Sequence, residues 1–305
     1  MLTHTVRPID PRDIEPSAAF RAAAAPRKGV LLSPEARPMF DAARGATPLA
    51  EGVRIEPGEA GGVAGLWCRV GAAPTHGRLL FLHGGAYMMG SAVTTANFAS
   101  HLAVRSGTDA FVADYRLAPE HPFPAAFDDA FAAYEGVAAS TRGPLAIAGE
   151  SAGGGLTLAV LAALSDMPDV RVPVAAAVMS PWTDLALTGE SYRTRAEADP
   201  IFTREALSAL ADKYLQGQNA SDPRASPLRG AVPRLPLRIE VGDDEVLLDD
   251  AVACATLAAD SGASVTLEVW QGMPHVFQAR VGTLTAATQS FDAAGAFIAA
   301  HLATS

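Results

Sequence analysis

Residues 149–153 read Gly-Glu-Ser-Ala-Gly, a serine with glycine two positions away on either side. The pentapeptide stands between an apolar run, Leu145 to Ala148, and a small-residue stretch that continues as LTLAVLAALS. A serine at a sharp strand-to-helix turn can act as a nucleophile, and Gly149 and Gly153 let the backbone crowd that turn where a Cβ would strike its neighbours. The Ser151 hydroxyl would then stand at the carboxyl end of a sheet, above the first N–H groups of a helix, where negative charge is favoured. A glycine-rich loop with an incidental serine would contain the same five residues, so the assignment depends on what else the chain supplies.

Three further stretches supply it. His83-Gly84-Gly85-Ala86-Tyr87 follows a very apolar run. Acyl transfer needs N–H donors aimed at the oxygen that becomes negative in the tetrahedral intermediate, and adjacent glycines allow that close approach. Gly84 and Gly85 are the expected donors, joined by the N–H of Ala152. An acidic loop, VGDDEVLLDD at 241–250, offers Asp243, Asp244, Glu245 and Asp249 as partners for a general base. The stretch EVWQGMPHVF at 268–277 places His275 on a loop after the last strand, completing the order serine, acid, histidine that a nucleophile elbow of this type requires. Other histidines lack that setting: His4 and His301 lie near the ends, His76 in a polar turn, His101 in a helical run and His121 before a proline. Cys68 and Cys254 form neither a metal-spaced pair nor a disulfide framework and are expected to be buried thiols. Neither a metal nor an organic cofactor is expected.

The elements that must hold these residues alternate in type. Strand signals begin with VRIEP at 53–57 and GLWCRV at 65–70, which alternate like antiparallel edge strands, and continue with RLLFLHGG at 78–85, which reads as buried on both faces. Helical and strand runs then follow in turn: helix 94–106, strand from 109, helix 125–139, the elbow strand, helix 152–165 and a strand from 172. After an irregular, more polar insertion at 186–225 come a strand from 237, helix 247–260, strand SVTLEVW from 264 and a terminal helix 284–302. Such alternation implies a mainly parallel sheet with helices on both faces. Residues 1–50 carry proline-broken helical pieces without a strand signal; too short to own a core, they must lie on the catalytic domain of 51–305. The last strand would leave an open edge, so a homodimer paired through it is expected.

Composition narrows the function. A chain of 305 residues that is 49% hydrophobic and 18% charged can bury a large core. A net charge of −10 disfavours nucleic-acid binding. No signal-peptide pattern and no long apolar span occurs, so a soluble, cytoplasmic protein is expected.

The stretches HGGAY, DYRLAPEHPFPAA, GESAGGGL, SPWTDL, DPRASPLRG, DDEVLLDD and GMPHVF together resemble the bacterial hormone-sensitive-lipase-like carboxylesterases, or family IV esterases, from about residue 50 to the end. The resemblance implies an α/β-hydrolase sheet of eight strands, with a helical cap built from the N-terminal segment and the 186–225 insertion. It implies hydrolysis of small, short-acyl esters through a serine acyl-enzyme without a cofactor. Ala86 departs from the usual third glycine, and the acid motif is altered. In the family frame of acid, any, Leu, any, Asp, only Glu245-Val246-Leu247-Leu248-Asp249 fits, which makes Glu245 the implied triad acid beside Ser151 and His275. Asp249 is left to support the loop or the following helix. Phe40, Tyr87, Trp182, Phe202 and Tyr214 are candidates for the pocket wall. The same residues would serve an amidase or an acyltransferase. A non-catalytic receptor on this fold, as in plant gibberellin receptors that lack the histidine, is disfavoured by His275.

Overall fold

A computed structural model of the chain describes every residue except 72–74, 76, 166, 168, 232, 233 and 305, so the turn expected around His76 lies outside the described residues. In chain order the elements are β1 (Leu2–Arg7), α1 (Ile14–Ala24), α2 (Arg37–Gly45), β2 (Val53–Ala60), β3 (Val63–Val70), β4 (Arg78–Leu82), α3 (Ala92–Ser106), β5 (Asp109–Ala113) and α4 (Ala125–Ala139). They continue with β6 (Leu145–Glu150), α5 (Ala152–Leu164), β7 (Ala175–Met179), α6 (Ser191–Thr194), α7 (Arg204–Leu215), β8 (Leu237–Gly242), α8 (Leu248–Asp260), β9 (Val265–Trp270) and α9 (Thr285–Ala303).

The strands form one sheet in the order β1-β9-β8-β7-β6-β4-β5-β3-β2, parallel except where β3 runs against β2 and β5. Alternate side chains of the central strands feed two cores, because successive residues of a strand point to opposite faces. Leu80 and Leu82 of β4 pack with α4, α5 and α8, whereas Leu79 and Phe81 pack with α3 and α9. Burial on both faces accounts for the unbroken apolar runs of β4 and β6. The carboxyl ends of β6, β8 and β9 therefore open on the same side, which is where the elbow, the acidic loop and the histidine loop emerge.

Two expectations need correction. Among the described residues the sheet has nine strands, not eight, and the extra one is β1, in a segment expected to hold no strand. The sequence LTHTVR carries little apolar signal because β1 stays largely exposed; it forms by pairing in parallel with β9 from Leu2↔Val265 to Arg7↔Trp270. It thereby covers the β9 edge on which a homodimer was expected to pair, and that edge is not open. Among the described residues no helix is long and apolar enough to cross a membrane.

A ladder of charge ties this end of the sheet together. Arg7 meets Glu268 at 2.6 Å, Glu268 meets Arg238 at 2.5 Å, and Arg238 meets Glu240 at 2.5 Å, with Ser290 donating to the far oxygen of Glu240. Burial pushes the Glu240 carboxyl up. Arg238, with its side chain only 7% exposed, is the cation both glutamates share. Removing one partner of a buried network strands the others, so Arg238→Met is expected to cost about 3–5 kcal/mol. Urea unfolding would measure this, and a loss below about 1 kcal/mol would show that the ladder is not a stabilising network.

Candidate active site

β6 ends at Glu150 and α5 begins at Ala152, so Ser151 alone turns the chain, at φ 56° and ψ −122°. Residues with a Cβ seldom adopt that conformation, and here the surroundings enforce it. The Ser151 N–H donates to the Met179 carbonyl at 2.9 Å, and the Ser151 carbonyl accepts from Trp182 and Gly155, both at 3.0 Å. Glycine is obligatory on both flanks: a Cβ on Gly149 would lie 2.3 Å from the Gly153 carbonyl oxygen, and one on Gly153 2.1 Å from that of Leu82.

Three sequence-predicted residues meet here. Ser151 Oγ lies 2.9 Å from His275 Nε2, and His275 Nδ1 lies 2.7 Å from Glu245 Oε2. An Nδ1–H donated to the carboxylate leaves Nε2 as the acceptor facing the serine hydroxyl. Glu245 is completely buried, and its other oxygen accepts from the Gly242 N–H at 2.6 Å and the Ser180 hydroxyl at 2.7 Å. The same Ser180 Oγ accepts the Val276 N–H at 3.1 Å, so one hydroxyl pins both the acid loop and the histidine loop. Burial disfavours the imidazolium of His275, but the charge of Glu245 and its hydrogen bond outweigh that, with smaller help from Asp199 and Glu150. The His275 pKa therefore lies above the ordinary imidazole value of 6.5.

The competing acids are engaged elsewhere. Asp244 pairs with Arg21 of α1, and Asp243 accepts the Gly272 N–H at 2.6 Å. Asp249 supports its loop as expected, accepting the Ser191 N–H at 2.8 Å while its own N–H donates to the Ser191 hydroxyl at 3.0 Å.

The glycine loop departs from expectation at one position. The Gly84 N–H is not free to receive an oxyanion, because it donates to Glu150 Oε1 at 2.8 Å; a Cβ on Gly84 would sit 2.3 Å from the same carboxylate. Gly85 and Ala86 instead line the cavity above Ser151, with positive φ at both (123° and 53°). Their N–H groups and that of Ala152 have no acceptor among the described residues. Glu150 is itself held by Arg44 of α2 at 2.5 Å, which carries the N-terminal segment to within one residue of the serine.

The cavity has a volume of ≈ 650 Å³. Its floor is Ser151, His275 and the glycine loop; Phe20, Leu32 and Phe40 wall it from the N-terminal segment, and Ile201 and Phe202 from the insertion between β7 and β8. Phe202 lies edge-on to His275 with ring centres 5.0 Å apart. Of the five aromatic residues expected at the pocket, Phe40 and Phe202 are there. Tyr87, Trp182 and Tyr214 are instead buried beneath it, with Tyr87 and Tyr214 stacked at 3.9 Å and Trp182 beside Tyr87. Residues 79–279 match a protein family described by the alpha/beta hydrolase fold. An acetyl-hydrolase of Streptomyces hygroscopicus is 40% identical over 72% of this chain and 74% of its own length.

The chain belongs to the bacterial hormone-sensitive-lipase-like esterase family.

An esterase of Acinetobacter venetianus is 35% identical over 81% of this chain and 82% of its own. Among solved structures, an esterase from the bacterial hormone-sensitive lipase family superposes with a TM-score of 0.87 at 37% identity, covering 96% of this chain and 99% of that one. Within this family member, sequence reasoning passed over several supporting residues. Ser180 was visible only as part of SPWTDL, and nothing in that motif reveals that its hydroxyl joins the two loops. Asp199, fully buried, accepts from the N–H groups of Ile201, Phe202 and Val246, and so ties the insertion to the acid loop. Since among the described residues Glu245 alone of the four candidate acids bonds the imidazole, Glu245→Gln is expected to lower turnover by about 10²–10⁴ at neutral pH and Asp244→Asn far less. The reverse ordering, in variants shown by circular dichroism to be folded, would transfer the role to Asp244.

Proposed function

We propose that the protein hydrolyses small carboxylic esters through a covalent acyl-enzyme on Ser151. The observation that carries this reading is the unbroken chain from Ser151 Oγ through His275 to Glu245, at 2.9 and 2.7 Å, on the floor of a cavity. Relatives named esterase and acetyl-hydrolase support the ester class. The cavity volume falls within the range of about 300–1,000 Å³ usual for a small molecule.

In this mechanism Ser151 Oγ attacks the ester carbonyl carbon while His275 Nε2 takes the hydroxyl proton. The carbonyl oxygen becomes negative and is received by the N–H groups of Gly85, Ala86 and Ala152. Ala86 thus replaces Gly84 in the role first expected of it, because the Gly84 donor is turned to Glu150. Collapse of the tetrahedral intermediate breaks the bond to the alcohol oxygen, which leaves with the proton from His275. Water then attacks the acyl carbon, giving a proton to His275 Nε2. That proton returns to Ser151 as the free acid departs. Glu245 holds the imidazole in place and stabilises its charged form, and it stays ionised throughout. The N-terminal helices and the insertion act as a cap that walls the cavity against water and shapes its acyl preference toward short chains. Action in the cytoplasm is part of the same proposal.

Ser151→Ala is expected to lower turnover of a p-nitrophenyl ester by about 10⁴–10⁶ with the fold intact. A phosphonate inhibitor should add its mass at Ser151 alone; an adduct elsewhere, or an active alanine variant, would refute the acyl-enzyme. Because the base works only as neutral imidazole, kcat/KM should fall as pH drops through the His275 pKa, on a limb centred above 6.5. Glu245→Gln removes the main source of the upward shift, so in that variant the limb should move to lower pH. A limb that stays in place would mean that another group controls it.

A further inference from the structure

The cavity above Ser151 contains a charge that the protein leaves unbalanced. Arg280 ends the short turn after the histidine loop, and its guanidinium lies 3.6 Å from the centre of the Phe20 ring. Among the described residues no carboxylate pairs with it, and its side chain donates no hydrogen bond. The other arginine lining this cavity is different: Arg44 is held by Glu150, while Arg21 of α1 is held by Asp244 and Arg27 is exposed and lines only the smaller neighbouring cavity. With 33 acidic residues against 23 basic ones, the chain does not lack carboxylates to pair it. Burial lowers the Arg280 pKa with no anion to offset it. Stacking on Phe20 uses only the face of the guanidinium, whereas its N–H donors lie around the edge. Arg280 lines the same cavity as Ser151 and His275, and with Phe20 and Ile201 it also lines a smaller adjoining cavity of ≈ 310 Å³.

We propose that Arg280 is a substrate-binding residue that receives a carboxylate, so that the preferred esters carry a carboxylate a few carbons from the scissile bond. The inference rests on the ester-hydrolase reading and names its substrate class. A planar guanidinium fork matches a carboxylate through two parallel N–H donors, and the Phe20 stack fixes the plane of the fork before the substrate arrives. In the cavity of Ser151 one uncommitted guanidinium balances one monovalent carboxylate; a phosphoryl dianion there would call for a second cation, and the other arginine of that cavity, Arg44, is already neutralised by Glu150. The apolar walls contributed by Leu32, Phe40 and Phe202 suit the short hydrocarbon link between ester and carboxylate.

The test uses the full chain and two matched pairs of esters, one with the carboxylate on the acyl part and one with it on the alcohol part. The first pair is p-nitrophenyl hydrogen glutarate against p-nitrophenyl valerate; the second is 4-acetoxybutyrate against pentyl acetate. In at least one pair, the ratio of kcat/KM for the anionic over the neutral ester should fall by about tenfold or more in Arg280→Met, chiefly through KM. Arg280→Lys should restore part of it, and added salt should shrink the wild-type ratio. A ratio unchanged by Arg280→Met in both pairs overturns the proposal. Should Arg280→Met not fold, competitive inhibition of the wild type decides: glutarate should inhibit more strongly than valerate and lose that advantage in salt, and equal inhibition overturns the proposal. If the wild type hydrolyses none of the four esters, the ester-hydrolase reading itself falls, which is a separate outcome; hydrolysis of the anionic esters alone supports both readings.

Discussion

Two carboxylates are buried beside Ser151 and His275, and the need to satisfy them organises the surrounding structure. A buried ionised group is costly unless donors replace the lost water. Glu245 finds three: the Gly242 N–H, the Ser180 hydroxyl and His275. Glu150, one residue before Ser151, finds the Gly84 N–H and the Arg44 guanidinium. The first set fixes the acid loop against the ends of β7 and β8 and positions the imidazole. The second reaches outward to the glycine loop and to α2, more than 100 residues earlier in the chain. The N-terminal segment, which has no core of its own, is therefore coupled to the turn at Ser151 by an ion pair whose removal would leave Glu150 short of a partner.

The loops at the sheet's carboxyl ends take conformations that ordinary residues avoid. Ser151, Ser180, Ala86 and Val276 all have φ between 47° and 56°. Each belongs to a different loop around the same cavity or the bonds beneath it. Single residues in such conformations cost on the order of 1–3 kcal/mol and persist only where the surroundings over-determine them. At Ser151 the surroundings are identifiable: hydrogen bonds to β7 and the following loop, and two glycines that admit close approach, Gly153 to the end of β4 and Gly149 to the start of α5. Strain at the site is thus balanced by regular packing below it, where Leu79 to Leu82 and Leu145 to Ala148 are buried on both faces of the sheet.

This division explains what could be read from the sequence. The parallel core was legible because β4 and β6 are apolar runs between glycine-rich turns, and Ser151 and His275 were legible because each follows its own strand. Glu245 emerged only from the family frame, since four acids within seven residues look alike until burial and direction separate them. Gly84 was misassigned because two adjacent glycines reveal that backbone approach is allowed but not which N–H faces the cavity; the Glu150 carboxylate decides that, 66 residues away. β1 escaped notice because an exposed edge strand has no apolar period, and only its pairing with β9 creates it. Ser180, Asp199 and Arg44 were silent for a related reason: each acts through a partner 47 to 106 residues distant.

The hydrogen-bonded Ser151–His275–Glu245 set and the cavity walls consequently come from different parts of the chain. Ser151, Glu245 and His275 stand at the ends of β6, β8 and β9, whose positions are set by the buried sheet. The cavity walls come from α1, α2 and the segment between β7 and β8, tied down by a few polar anchors: Arg21 to Asp244, Arg44 to Glu150, and Asp199 to the Val246 N–H. A substitution in the walls can change which ester fits without moving the strand ends. A substitution at one of these three anchors cannot be so confined, because each terminates on the acid loop or on the neighbour of Ser151. Sequence change that alters specificity is therefore physically cheapest at wall positions that bear no anchor, such as Phe20, Leu32, Phe40 and Ile201, and most disruptive at Arg44 and Asp199.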